Sequence, residues 1–264
     1  FVLNSPEIRK KNEKKDLIPV NNSIIIAHRG MDEIYPENTI AAFDAALKNG
    51  MAIEIDARGT ADEHIVVMHD DTVDRTTNGS GEVAKMTLSE LKDLDAGSWW
   101  SSEFKGERIP TLEETLDTVK EHGTAETTLI IEMKTLDPGS IRKICSGLSQ
   151  RSLLSKTVGI GLIHQSVDVR RRFYEGNSDF QCATVANSAD ELSLAISDPY
   201  SSWIYTRYPM NLNEVQAVHD SGKKIIASGP GVMDDIEGMV ASACAGADTI
   251  MSYYPNALAQ HLGN

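Results

Sequence analysis

Little in this chain points to a membrane, a nucleic acid or a metal–thiolate centre. No apolar run among its 264 residues is long enough to cross a bilayer, so no integral membrane segment is expected. Basic residues are outnumbered 39 to 25, which gives a formal charge of −14. A surface that acidic disfavours nucleic acid and anionic lipid, while leaving room for a local basic pocket around one phosphate. Cysteine is scarce. Cys145, Cys182 and Cys244 are odd in number, widely separated and without zinc-type spacing, and read as buried free thiols. Residues 1–22 (FVLNSPEIRKKNEKKDLIPVNN) lack periodicity and carry many charges, so they are expected to be a tail outside the fold. The chain does not start with methionine. A removed signal peptide would leave such a start, as would trimming, and a periplasmic or otherwise exported location is favoured over a cytoplasmic one.

What is present is organised around Met51–Asp70, MAIEIDARGTADEHIVVMHD. Ile53 and Ile55 alternate with Glu54 and Asp56, and in a strand successive side chains face opposite ways, so the two carboxylates share a face. A solvated polar face would account for an isolated pair of this kind. The next apolar run, Ile65–His69, follows after only a few residues rich in Gly, Thr and charge. A parallel crossover needs roughly a dozen residues or more, so the two runs are expected to form an antiparallel hairpin that brings His69 back towards the carboxylates.

Taken in order, strands are expected to begin near residues 24, 53, 128, 157, 180, 203, 224 and 248, with helices between them. The first helix is capped at Asn38 or Thr39, presents Ile40, Phe43 and Leu47 on one face and ends at Gly50. A helix at Leu112–His122 is capped by Thr111 and closed by Gly123, and Val167–Tyr174 follows the strand at 157–162. Eight such units in about 240 residues predict a (β/α)8 TIM barrel over residues 23–264, with its active site at the C-terminal ends of the strands. A doubly wound open sheet is the competing architecture. Residues 59–110 do not follow the βα rhythm and read as a small insertion after the second barrel strand.

This architecture sorts the charged residues. His28 and Arg29 end the first strand, Glu54 and Asp56 the second, Glu132 and Lys134 the third. Three carboxylates on one rim raise one another's pKa unless a cation lies among them. Glu54, Asp56 and Glu132 are therefore the candidate ligands of one divalent cation, Mg²⁺ or Ca²⁺, as all-oxygen ligands suit. Arg29 and Lys134 can hold a phosphate, one as a planar fork and the other as a point charge. A histidine beside such a site can shuttle protons.

The ordered set His28-Arg29-Gly30, Pro36-Glu37-Asn38-Thr39, Glu54-x-Asp56, His69-Asp70, RTTNGSG from Arg75, IPTLEE from Ile109 and Glu132-x-Lys134 resembles the glycerophosphodiester phosphodiesterase family. The resemblance runs from His28 to Lys134, about the first half of the chain. It implies a barrel with an insertion after the second strand and His28 and His69 as the catalytic acid/base pair. It also implies Mg²⁺ or Ca²⁺ on Glu54, Asp56 and Glu132, phosphate contacts from Arg29 and Lys134, and Glu37 in support of that site. The implied reaction is hydrolysis of a glycerophosphodiester to sn-glycerol 3-phosphate and an alcohol, with the substrate's own 2-hydroxyl attacking phosphorus.

The second half departs from the family pattern. Ser228-Gly229-Pro230-Gly231 stands where Trp-Thr-Val-Asn is usual, Tyr253 stands for an aspartate at the eighth strand, and Gly161–His164 replaces a Ser-Phe pair. These positions line the glycerol side of the pocket in the family, so Ser228, Tyr253 and His164 are candidate pocket residues. The expected consequence is a roomier wall and an altered substrate preference. His164 can reach the pocket from its strand end or simply pack. Trp99 and Trp100 read as packing for the insertion, His122 and His219 as favourable charges at helix ends, and Arg170–Arg172 as a solvated helix face. Competing functions are action on a different phosphodiester, a two-carboxylate barrel glycosidase and a non-catalytic phosphodiester-binding barrel.

Overall fold

The computed structural model describes residues 23–134 and 137–263, and the expected tail, 1–22, lies outside them. Eight parallel strands close into a barrel: β1 (Ile24–Ala27), β2 (Ala52–Gly59), β4 (Leu129–Met133), β5 (Thr157–Gly161), β6 (Gln181–Ala186), β7 (Trp203–Thr206), β8 (Lys224–Ala227) and β9 (Thr249–Ser252). Closure comes from β1, which pairs in parallel with both β2 and β9. The remaining strand, β3 (Ile65–Val67), pairs antiparallel with β2, as the short connection required.

The helices α1 (Ile40–Lys48), α3 (Leu112–His122), α4 (Pro138–Gln150), α6 (Val167–Gly176), α7 (Ala189–Ser197), α8 (Leu212–Asp220), α9 (Ile236–Ala245) and α10 (Pro255–Leu262) surround the barrel, with a short α2 (Leu88–Lys92) in the insertion. Their ends follow local chemistry. The Thr39 hydroxyl accepts from the Ala42 amide, and Thr111 with Glu114 and Thr87 with Glu90 form reciprocal caps at α3 and α2.

Strand alternation builds two cores. Ile25, Ile53, Ile55 and Ile131 point outward onto the helices, where Phe43 and Leu116 are fully buried. Ile26, Ile130, Ile160, Trp203, Tyr205, Ile226 and Met251 point inward and fill the lumen. Each fully buried side chain of this size contributes about 1.5–3 kcal/mol. The inward parity matters more for the site: with Ile53 and Ile55 outward, Glu54 and Asp56 face the lumen, and the register Asp56↔Glu132 sets the third carboxylate beside them. The insertion packs its own cluster of Val66, Met68, Val73, Val83, Leu91 and Ile109 against the mouth of the barrel.

Two details differ from the sequence expectation. The strand at 157 stops at Gly161 (φ 82°), and one helical turn, α5 (Leu162–Gln165), precedes α6. A Cβ at Gly161 would stand 2.8 Å from Glu132 Cγ, so only glycine permits that turn against the third carboxylate. Arg170, expected in solvent, is buried. Its Nε donates to Asp198 Oδ2 at 2.6 Å and its Nη1 to the carbonyls of Ile163 and His164, which locks α5 in place. The counter-charge lies 28 residues further on, beyond what a helix-face pattern records.

Candidate active site

Glu54, Asp56 and Glu132 each present a carboxylate oxygen within 4.8 Å of the others at the C-terminal end of the barrel. Glu54 and Asp56 are almost wholly buried. Glu54 Oε2 accepts the Arg29 backbone N–H at 3.0 Å, whereas Glu54 Oε1 is buried with no partner among the described residues. Burial, then repulsion from Asp56 and Glu132, raises Glu54 well above the ordinary carboxylate range. Burial also opposes the charge on Asp56, but Lys134, Arg29 and the Asn38 amide outweigh it and hold that carboxyl below its usual value. An orphaned carboxylate oxygen between two further carboxylates is a donor set suited to a hard divalent cation. Asp56 Oδ1 takes no well-aligned hydrogen bond either, its nearest cation being Lys134 Nζ at 3.1 Å.

Arg29 and Lys134 both face this cluster. Lys134 Nζ also donates to Glu132 Oε1 at 2.6 Å. Arg29 Nη1 donates to Glu37 Oε1 at 2.9 Å, and its Nε lies 3.5 Å from Asp56. Arg29 adopts a positive φ of 52°, and Gly30 follows at 83°, where a Cβ would strike Ala42 at 2.7 Å. The His-Arg-Gly turn is thus pressed against α1, and its strained arginine backbone aims an amide at Glu54.

The two histidines reach the rim from different arms. His28 follows β1; its Nδ1 pairs with Asp32 Oδ2 at 2.9 Å, and its ring meets Tyr253 edge-on at 4.6 Å. His69 follows β3; its Nδ1 pairs with Asp70 Oδ1 at 2.7 Å, and Arg58 donates to its carbonyl. His69 is close enough for its charge to act on Asp56. In each ring Nδ1 is the nitrogen engaged by a carboxylate.

Sequence reasoning missed several members. Asn38, read as a possible cap and as a motif residue without a role, donates its amide to Asp56 Oδ2 at 2.8 Å from a positive-φ conformation. Asp32 lies outside any quoted motif. Arg75, in the insertion, donates to Glu37 (2.7 and 2.8 Å) and to Asp70 (2.7 and 3.0 Å), so one guanidinium ties the Arg29 side of the site to the His69 side. Its bonds are the first cause of an Asp70 pKa below the ordinary range. The available signal was its place in the RTTNGSG motif.

Ser228, expected to open a wall, is fully buried. Its hydroxyl donates to Tyr205 Oη at 2.6 Å and lies 3.0 Å from Met233 Sδ, with Met251 Sδ at 4.0 Å. Two thioethers and a phenol surround the Ser228 hydroxyl. His164 is buried and stacked on Tyr205 at 5.1 Å, its Nδ1 accepting from the Gly161 amide. Burial, then the charges of Arg207, Arg170 and Lys134, lowers it to about 4. It packs as a neutral ring. Tyr253 stays partly exposed beside His28. His122 and His219 pair with Asp44 at 3.3 Å and Asp248 at 2.9 Å rather than resting on helix ends alone. Trp99 and Trp100 pack edge-on within the insertion, and all three cysteines are free.

The profile of the glycerophosphoryl diester phosphodiesterase family matches residues 28–193. A glycerophosphodiester phosphodiesterase of Caldanaerobacter subterraneus subsp. tengcongensis is 42% identical over 154 residues, 56% of this chain and 62% of that protein. One of Bacillus subtilis is 38% identical over 154 residues, 54% of this chain and 51% of that protein. The matched segment therefore covers less than two thirds of either relative. The solved glycerophosphodiester phosphodiesterase of Agrobacterium tumefaciens superposes with a TM-score of 0.77 at 30% identity, over 90% of this chain and 99% of its own. An Oleispira antarctica phosphodiesterase, solved with the product sn-glycerol-3-phosphate, superposes at 0.75 with 25% identity, over 91% of this chain and 97% of its own. With the profile spanning more than half its residues and a shared barrel along nine tenths of its length, the chain belongs to the glycerophosphoryl diester phosphodiesterase family.

Proposed function

We propose that this protein hydrolyses glycerophosphodiesters to sn-glycerol 3-phosphate and an alcohol, with one divalent cation, Mg²⁺ or Ca²⁺, held by Glu54, Asp56 and Glu132. The observation that carries the reading is the buried, partnerless Glu54 oxygen among three carboxylates at the barrel end that two carboxylate-paired histidines also reach. When bound, the cation acts as a Lewis acid that offsets the phosphate charge. Arg29 and Lys134 draw the phosphodiester anion to the same rim. One imidazole takes the proton of the substrate's 2-hydroxyl as its oxygen bonds to phosphorus, and the other gives a proton to the departing alkoxide, leaving a five-membered cyclic phosphate. The roles then reverse as water attacks phosphorus and gives up a proton, and the ring oxygen leaves with one. Asp32 and Asp70 fix the two rings so that each offers Nε2. A small-molecule diester is the only partner this chemistry requires.

The test is turnover of a panel of glycerophosphodiesters with and without chelator. Release of glycerol 3-phosphate that chelator abolishes and Mg²⁺ or Ca²⁺ restores is the expected result. Full activity in excess chelator overturns the cation assignment, and no turnover of any member overturns the reaction.

A further inference from the structure

Arg207 is a cation on the active rim for which the reaction described so far has no use. It follows β7, and its backbone amide still donates to the Ala186 carbonyl at 3.0 Å, so the alternation of the strand extends to it. Trp203 and Tyr205 face the lumen, and Arg207 continues that face one step further towards the mouth. Glu54 beyond Ala52, Glu132 beyond Ile130 and His28 beyond Ile26 reach the mouth by the same rule. In the closed barrel β7 stands four strands from β2 in either direction, so Arg207 enters the mouth opposite Glu54 and Asp56.

The arginine is held in place but not neutralised. Its guanidinium carbon lies 5.9 Å from the centroid of the buried Tyr205 ring, and the turn at Gly229 presses on its backbone, where a Cβ would stand 2.7 Å from Arg207 Cα. Among the described residues its side chain makes no hydrogen bond and no ion pair, unlike those of Arg29, Arg58, Arg75 and Lys134. Tyr205 feels both sides of the mouth. Burial, against the hydrogen bond from Ser228, raises its hydroxyl to about 12; the charges of Glu54 and Glu132 add to the rise and that of Arg207 opposes it. A divalent cation together with Arg29 and Lys134 balances three carboxylates and one phosphodiester anion. The charge of Arg207 is then left for a second anion on the substrate.

We propose that Arg207 is a specificity-determining residue that receives a carboxylate on the half of the substrate that keeps the phosphate, so that diesters of phosphoglycerate are preferred over those of glycerol phosphate. The proposal rests on the function proposed above and names its substrate class. Arg207 shares its side of the mouth with Ser228 and His164, the positions expected on the glycerol side: Tyr205, beneath it, accepts from Ser228 at 2.6 Å and stacks on His164 at 5.1 Å. Glycerate keeps the 2-hydroxyl and exchanges only the terminal CH2OH for a carboxylate, a planar acceptor that matches the guanidinium fork. The same displacement therefore applies. The 2-oxygen bonds to phosphorus as the P–O bond to the alcohol breaks and that alcohol leaves with a proton, and water then opens the cyclic phosphate to give phosphoglycerate.

The experiment has a binding arm and a turnover arm, each run with both configurations at C2. Calorimetry in Mg²⁺ measures Kd for glycerol 3-phosphate and for 3-phosphoglycerate, and turnover measures kcat/KM for their methyl phosphodiesters. Wild type is expected to favour the glycerate member by about 10-fold or more in both arms, the gain from one charge-assisted contact. Arg207→Gln should bring that ratio close to one, chiefly through KM, and Arg207→Lys should restore part of it, which a merely structural role would not do. Equal or undetectable affinity of wild type for the two products overturns the proposal, as does a preference that survives in Arg207→Gln. If Arg207→Gln weakens both members equally, the arginine binds a neutral hydroxyl and the proposal fails. Loss of turnover on every diester overturns the proposed function, and the product affinities then still decide the role of Arg207.

Discussion

Glu54→Gln should make the cation-free protein more stable while abolishing its response to the cation. Glu54 is buried, its Oε1 lacks a partner, and Asp56 and Glu132 crowd it, so its pKa is raised well above the ordinary value. Below about pH 4.3 the carboxyl is neutral folded and unfolded, and costs nothing. Above that, the unfolded chain ionises while the folded one holds its proton, so stability falls as pH rises towards the folded pKa. Each unit of displacement is worth about 1.4 kcal/mol. Glutamine removes the loss, keeps a carbonyl for the Arg29 amide and offers an NH2 to the neighbouring carboxylates. One unit alone would raise Tm by about 3–6 °C in a chain of this size. The assay is thermal melting in chelator from pH 4.5 to 8, then with Mg²⁺ or Ca²⁺. The gap between variant and wild type should widen with pH. A cation at 100 times its Kd should then stabilise only the wild type, by about 2.7 kcal/mol. A variant melting below wild type at pH 7 in chelator would show that Arg29 and its neighbours fully compensate the Glu54 charge, and the reasoning would fail.

The histidines carry a second test: His28→Ala and His69→Ala should each lose about 10²–10⁴-fold in kcat while melting normally, and near-wild-type turnover by either removes it from proton transfer. Ser228→Trp, which would restore the usual family residue, should instead lower Tm by about 2–12 °C, because an indole overpacks the Tyr205–Met233–Met251 floor. An unchanged Tm with a shifted headgroup preference would place Ser228 on an open wall after all.

The parts of this protein legible in the sequence are those set by short-range rules. The alternation at Ile53–Asp56 put two carboxylates on one face, the capping pairs Thr111–Glu114 and Thr87–Glu90 marked helix starts, and the brevity of residues 60–64 forced the β2–β3 hairpin. What escaped depends on distant partners. Arg170 sits in a run of three arginines that looks solvated, and only Asp198 makes its burial affordable. The Ser228 wall seemed open because Met233 and Met251, which border its hydroxyl, arrive from β8–α9 and β9. Leu162 reads as the end of the strand until the turn at Gly161, set by the carboxylate behind it, is placed.

The pairing of β1 with β9 also bears on how the protein comes to be active during synthesis. Ile24 pairs with Thr249 and Ala27 with Ser252; the His28 amide donates to the Ser252 carbonyl at 3.2 Å; Tyr253 abuts the His28 ring; Asn256 donates to Glu33. Every acid, base and ligand proposed above has been synthesised once Lys134 is made, yet the strand that seats His28 follows more than a hundred residues later, on the order of 5–25 s at ordinary elongation rates. Until then the first strand has one edge unpaired, and the His28 arm lacks its support. Completion of the site is therefore a late event in biogenesis, timed by the last strand rather than by the residues proposed to perform the chemistry.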